Sequence, residues 1–172
     1  TFKSALYTKV FGDFVLKTAA DFGYLGYYNK DLGYSPFEGF QLGGDGMSGY
    51  NTYGSDIIGL RGYPNYSLTP IMGNAYAGRV YDKFTVELRY PVVLQPQSTI
   101  YALAFLEGGN CWSDIKDFNP FEIKRSVGVG LRVMLPIVGM LGIDWGYGFD
   151  PVPNEKLNRG GSQFHFVIGQ QF

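Results

Sequence analysis

Apolar and polar residues alternate with a period of two along much of the chain, a pattern that is typical of β-strands. In residues 127–135 the odd-numbered positions are Val or Leu, and the positions between them include Gly128, Gly130 and Arg132. Residues 141–149 repeat this arrangement, with bulky side chains on one face and Gly or Asp on the other. The pattern therefore predicts strands with one apolar face and one small or polar face.

The alternation predicts eight strands and no amphipathic helix, so the predicted fold class is all-β with antiparallel strands. Many segments exceed the roughly 5–6 residues of an average strand and match the roughly 9–11 tilted residues that cross a bilayer. The predicted strands are residues 2–11, 14–28, 36–44, 80–93, 99–112, 122–135, 139–149 and 162–172.

The composition indicates which face meets which environment. Charged residues make up 17 % of the chain and aromatic residues another 17 %, whereas soluble domains are about 25 % charged. A bulky apolar face suits lipid, and a face of Gly with isolated charges suits a lumen. We therefore expect residues 1–172 to form one transmembrane β-barrel domain, with a soluble β-sandwich or a lipocalin-like barrel as the alternative. On this pattern Leu131→Arg or Ile143→Arg should block folding into bilayers, and Gly130→Ser should be mild.

Several function classes are disfavoured by the residues present. The net charge of −1, without a basic run, argues against a nucleic-acid surface. Cys111 and His165 are each the only residue of their type, which argues against a disulfide, a metal centre or a catalytic triad. The sequence predicts no enzyme and no cofactor. Because Thr1–Val10 lacks the apolar core of a signal peptide, we expect that one was removed or that the chain comes from a longer protein.

Several segments of the chain carry a resemblance to one protein family. Leu60-Arg61-Gly62-Tyr63 lies in the long loop at residues 45–79. The other segments are Phe40–Asp45, Val86–Pro91, Phe105–Trp112, Gly128–Arg132, Leu141–Tyr147 and Phe164–Phe172. Taken in order, these segments resemble the barrel of BamA-type outer-membrane insertases, a family that includes BamA and TamA and is also called the bacterial surface antigen family. The loop segment is similar to the Val-Arg-Gly-Phe/Tyr motif of that family's sixth loop, and its position before the last five strands strengthens the match.

The resemblance implies that these strands are the second half of a sixteen-stranded barrel in the bacterial outer membrane, preceded by periplasmic POTRA domains. It implies an assembly factor that inserts and folds β-barrel proteins without covalent chemistry. The implied partners are unfolded outer-membrane protein clients, outer-membrane lipid and accessory assembly lipoproteins. Two alternatives stay open: a TamA-like or two-partner secretion transporter, and a small structural barrel that is complete at eight strands.

The candidate functional residues form two groups. The resemblance implies that the loop motif Leu60–Tyr63 folds into the lumen. There Arg61 would reach Glu107 with Glu87 beside it, because a guanidinium fork matches carboxylates. The alternative is that Glu87 and Glu107 belong to a hydrated polar network that lines the lumen. The strand at the C-terminus is the second group, because an unpaired strand edge can be recognised by strand addition. Its signal residues are Phe164, Phe166, Ile168, Gly169 and Phe172.

Barrel size bears on the loop prediction. A closed barrel of eight strands has an interior just wide enough for side chains, so a 35-residue loop at 45–79 would have to lie outside it. If the sheet stays open or two copies pair, the loop can reach the lumen face and the Arg61–Glu107 ion pair can form. We favour the paired or open arrangement, because the strands resemble those of a wider barrel.

Overall fold

The structure is a computed structural model that describes residues 1–29, 31, 33–35, 37–47, 54–95, 98–136, 139–153 and 160–169. No helix among these residues is long and apolar enough to span a membrane. The predicted all-β fold is confirmed, because apart from one 3-10 turn at Ile115–Asp117 the regular elements of these residues are strands.

One antiparallel sheet dominates the described part of the chain and contains seven strands. They are β1 (Phe2–Phe11), β2 (Phe14–Tyr24), β7 (Val80–Gln95), β8 (Ser98–Trp112), β9 (Lys124–Leu135), β10 (Gly139–Gly148) and β11 (Gly161–Ile168), and they lie side by side in this order. Each strand of this main sheet therefore pairs with the next, as expected for a meander, and the chain leaves the sheet for one long excursion between β2 and β7.

The prediction that residues 36–44 form a strand of the barrel is wrong. Residues Glu38–Leu42 do form a strand, β3, but it pairs in parallel with β4 (Gly54–Ile58) and does not enter the main sheet. The physical reason is its length and its packing: five residues are too few to cross a bilayer, and Phe40 and Leu42 bury in a local apolar core. The connection between β2 and β7 is therefore longer than the predicted loop and runs from residue 25 to residue 79.

This excursion folds against one face of the main sheet, which we call the inner face. A cluster of buried residues joins the two layers, with loop residues on one side and Tyr81, Cys111 and Val152 on the other. The loop members are Phe40, Leu42, Ile58, Leu60, Tyr63 and Leu68. A short hairpin of β5 (Ile71–Met72) and β6 (Ala75–Tyr76) precedes the return to β7. Burial of these side chains supplies the apolar driving force that holds the loop down.

The opposite face of the main sheet, the outer face, carries exposed apolar side chains. Ile143 is 41 % exposed and Phe164 is 66 % exposed, and similar rows run along β7, β9 and β11. Large exposed apolar surfaces of this kind are unfavourable in water and suit lipid. Among the described residues the sheet does not close, and β1 and β11 lie at its edges. An open sheet is one of the arrangements that lets the loop reach the inner face.

Candidate functional site

Arg61 is the centre of the candidate site. It follows Leu60, which makes an isolated antiparallel bridge with Gly44, and this bridge fixes the direction in which the chain enters the site. The side chain of Arg61 is fully buried, although it comes from a loop. It points onto the inner face of β7, β8 and β10, which carry its three carboxylate partners.

Three carboxylates surround the Arg61 guanidinium. Glu107 is the closest partner: its Oε1 accepts from Nη2 at 2.7 Å and from Nε at 3.1 Å, and its Oε2 accepts the Arg61 backbone N–H at 2.9 Å. Glu87 accepts from Nη2 at 2.8 Å, and Asp144 accepts from Nη1 at 3.3 Å. Several charge-assisted hydrogen bonds thus offset the cost of burying the guanidinium.

The aromatic ring of Phe105 forms the floor of this site. The Arg61 Cζ atom lies 3.6 Å above the ring centroid, an arrangement that favours a cation–π interaction. Phe105 is the cross-strand neighbour of Glu87 and of Gly128. A Cβ at Gly128 would lie 2.3 Å from the Phe105 ring, so only glycine leaves room for this ring orientation.

The carboxylates have further cationic partners. Arg89 Nε lies 2.6 Å from Glu87, and Lys83 Nζ lies 3.5 Å from Glu107. Arg132 makes two contacts with Asp144, at 2.6 Å and 2.7 Å. The site is therefore a network of buried charges, and removal of one member leaves others without compensation.

Glycines form a seat for the tip of the loop. Gly62 has a φ of +87°, a left-handed conformation that favours glycine. A Cβ at Gly146 would lie 2.8 Å from the Gly62 nitrogen, and one at Gly148 or Gly160 would lie about as close to the Gly62 carbonyl oxygen, at 2.5 Å and 2.4 Å. The backbone of the loop thus lies closer to these three glycines than it could if any of them carried a side chain.

Two residues beside Arg61 complete the docking of the tip. The Gly62 N–H donates to Nε2 of His165 on β11 at 3.0 Å. The Tyr63 hydroxyl donates to the Arg125 carbonyl at 2.7 Å and accepts the Asp150 N–H at 3.3 Å. Burial raises the pKa of Tyr63 to about 12, which keeps the phenol protonated and able to donate. Hydrogen bonds from Arg125 hold the pKa of Asp150 below its usual range.

A family model described as the Omp85 superfamily domain matches residues 1–172. The chain belongs to the Omp85 superfamily. Members of this superfamily are outer-membrane proteins of the insertion and secretion type, and at that level the predicted family, localisation and function class are confirmed. A search of curated proteins found no match to the chain.

In this Omp85 chain the predicted site residues fall in two places. Arg61, Glu87 and Glu107 lie in direct contact, with Leu60, Gly62 and Tyr63 packed around them. The signal strand β11 directs Phe164, Phe166 and Ile168 to the outer face, where each is at least 60 % exposed. Gly169 follows the strand with a φ of +71°, and Phe172 lies outside the described residues.

Sequence reasoning missed four features of the site. It did not find Phe105 as the floor, Asp144 as a third partner of Arg61, the glycine seat, or His165 as the acceptor for Gly62. The pair Gly146 and Gly148 was a usable signal, because glycines at successive positions of one strand face mark a close backbone approach. Among the residues described above, no group of three His, Cys, Asp or Glu side chains is arranged to hold a metal ion.

Proposed function

We propose that this Omp85 protein is a BamA-type assembly factor that inserts and folds β-barrel proteins into the outer membrane. The observation that carries the proposal is the docked loop motif: Arg61 is buried among Glu87, Glu107 and Asp144 on the inner face, next to the edge strand β11. The ion-pair network costs stability unless it is complete, so its presence favours a loop that is held in one defined position.

The proposed mechanism is templated strand pairing. An edge strand presents unpaired N–H and C=O groups that can add a strand from another chain, and β11 is an edge of the main sheet. An unfolded client would pair with this edge while its apolar side chains follow the exposed row of Phe164, Phe166 and Ile168 into lipid. No covalent step, nucleotide or cofactor is required. Accessory lipoproteins would deliver clients.

The test is site-specific photo-crosslinking in the full-length protein during client insertion. A crosslinking residue at Phe166 or Ile168 probes the edge strand, and one at Leu88 is the matched control, because Leu88 is also exposed on the outer face but belongs to the central strand β7. We expect client crosslinks at the β11 positions and few at Leu88. Equal crosslinking at both strands would contradict the proposal.

A third probe separates insertion from secretion. Ala19 is the cross-strand partner of the inward-facing Thr85 and lines an open cavity on the inner face, so a substrate that passes through the lumen could reach it. A TamA-like or two-partner secretion transporter predicts crosslinks at Ala19 and none at Phe166. An insertase predicts the reverse.

A second experiment examines assembly of the protein itself. Polar substitution of Phe166 and Ile168 together should slow assembly of the full-length protein in cells, because it removes the apolar pattern of the edge strand. The matched control is the same pair of substitutions at Leu88 and Tyr90, which are exposed on β7. An unchanged assembly rate for the β11 variant would count against β11 as a recognition element.

A further inference from the structure

His165 connects the loop motif to the edge strand through one hydrogen bond. The Gly62 N–H donates to His165 Nε2 at 3.0 Å, across 103 positions of sequence. His165 is 5 % exposed, so water does not readily replace this acceptor. A ring nitrogen that accepts a hydrogen bond carries no proton, so the contact requires neutral histidine with its proton on Nδ1.

Protonation would reverse the sign of this contact. An imidazolium has a proton on both ring nitrogens and accepts no hydrogen bond, so the Gly62 N–H would then face a second donor. The gain of one proton at Nε2 therefore converts an attraction between loop and strand into a repulsion. Histidine is the side chain whose unperturbed titration lies near neutral pH, at about 6.5.

The charged groups around His165 come from β8, from β10 and from the excursion between β2 and β7. Asp144 is its cross-strand partner on β10, and it is already paired with Arg132 at 2.6 Å and with Arg61 at 3.3 Å. A charged ring would add a cation beside these two guanidinium groups. The groups that act on His165 are Asp45, Asp144, Glu107 and Arg61.

The geometry points to His165 as a positioning residue, a pH-sensitive latch that ties the tip of the loop to the edge strand when neutral and releases it when protonated. Arg61 keeps its carboxylate partners in both states, because its hydrogen bonds to Glu107, Asp144 and Glu87 are direct and do not pass through His165. Acid therefore loosens β11 from the loop without expelling the loop from the inner face. The latch itself is a property of the fold; its use during client insertion rests on the proposed function.

The latch can be tested on the full chain in detergent micelles by nuclear magnetic resonance. The readouts are the nitrogen–nitrogen coupling across the Gly62 to His165 hydrogen bond, the ring-nitrogen shifts of His165, and hydrogen exchange at the Gly62 amide. As the pH is lowered from about 8 to about 4, past the ordinary histidine value of about 6.5, we expect the coupling to vanish when His165 gains its proton. Exchange protection at Gly62, corrected for the intrinsic rate, should fall by roughly tenfold or more.

Two variants and one internal reference make the result specific. His165→Gln supplies a neutral acceptor at all pH values, so protection at Gly62 should persist in acid. His165→Leu removes the acceptor, so protection should be low throughout. The reference is the Arg61 amide, which donates to Glu107 at 2.9 Å and should stay protected as His165 titrates. Because His165→Gln retains the hydrogen bond, the test stands even if the leucine variant does not fold.

Three outcomes would overturn the latch. The coupling could persist while His165 is protonated, His165 could remain neutral across the whole range, or His165→Gln could lose protection with the same midpoint as the unmodified protein. Client insertion is measured separately in the full-length protein. Acid could break the Gly62–His165 hydrogen bond in a protein that inserts no client at any pH. That result would refute the proposed function but would still support the latch.

Discussion

The guanidinium group of Arg61 and the carboxylate of Glu107 lie 2.7 Å apart, with both side chains fully removed from solvent. The two residues are 46 positions apart in sequence and belong to different layers, one to the loop and one to β8. Their contact is accompanied by a hydrogen bond from the Arg61 backbone to the same carboxylate. This relationship couples the position of the loop to the main sheet.

Arg61→Ala should undock the loop. The change leaves Glu87, Glu107 and Asp144 without their shared partner, and breaking a buried ion pair costs about 3–5 kcal/mol. Denaturant unfolding in micelles and protease sensitivity of residues 54–79 would measure this loss. The control is Arg125→Ala, because Arg125 pairs with Asp150 near the surface and such pairs contribute about 0–1 kcal/mol.

Exchanging the charges of Arg61 and Glu107 should restore only part of the lost stability. The exchanged pair can attract, but a carboxylate at position 61 would then face Glu87 and Asp144, which surround the guanidinium in the present protein. Complete recovery in the double variant would indicate that Glu107 alone holds the loop. No recovery at all would indicate that the pair contributes little.

Gly148→Ala should weaken docking of the loop tip. The added Cβ would lie 2.5 Å from the Gly62 carbonyl oxygen, so the backbone of one layer must shift, at a cost of about 1–3 kcal/mol. Gly54→Ala is the matched control, because its Cβ would lie 3.6 Å from the nearest atom, an ordinary contact distance. The measurement is the unfolding midpoint of each variant. Equal midpoints would argue against a close approach of the Gly62 backbone to Gly148.

Gly130→Ser should be disruptive, although the sequence pattern alone predicts a mild effect. The position does face inward, but a Cβ there would lie 1.8 Å from Asp144 Oδ1. That carboxylate is held by Arg132 at 2.6 Å, so it cannot simply rotate away. We expect reduced folding yield in micelles relative to Gly54→Ser, and an equal yield for the two variants would contradict the crowding argument.

Leu131→Arg and Ile143→Arg should impair folding into bilayers. Both side chains are 41 % exposed on the outer face, and an arginine on a lipid-facing strand costs about 2–4 kcal/mol near the bilayer centre. Tyr28→Arg, in the fully exposed start of the excursion, is the control and should fold normally. The measurement is the folded fraction in lipid vesicles against urea; equal tolerance at all three sites would refute a lipid-facing outer surface.

The sequence by itself determined the strand pattern and the assignment of the two faces. Alternation with a period of two is a local property, so the rows at 127–135 and 141–149 could be read without any tertiary information. The motif at Leu60–Tyr63 could also be named, but only through its resemblance to a known family in which this loop enters the barrel. Charge complementarity then indicated Glu87 and Glu107 as partners of Arg61.

Only the tertiary structure decided how the excursion folds and what its tip touches. The segment at 36–44 alternates like a membrane strand, but it pairs with β4 because its apolar residues bury against the inner face. The contacts of Arg61 with Asp144 and of Gly62 with His165 join residues 83 and 103 positions apart. Such pairings depend on strand register and on the space that glycines leave between layers, and neither is a property of any local stretch of sequence.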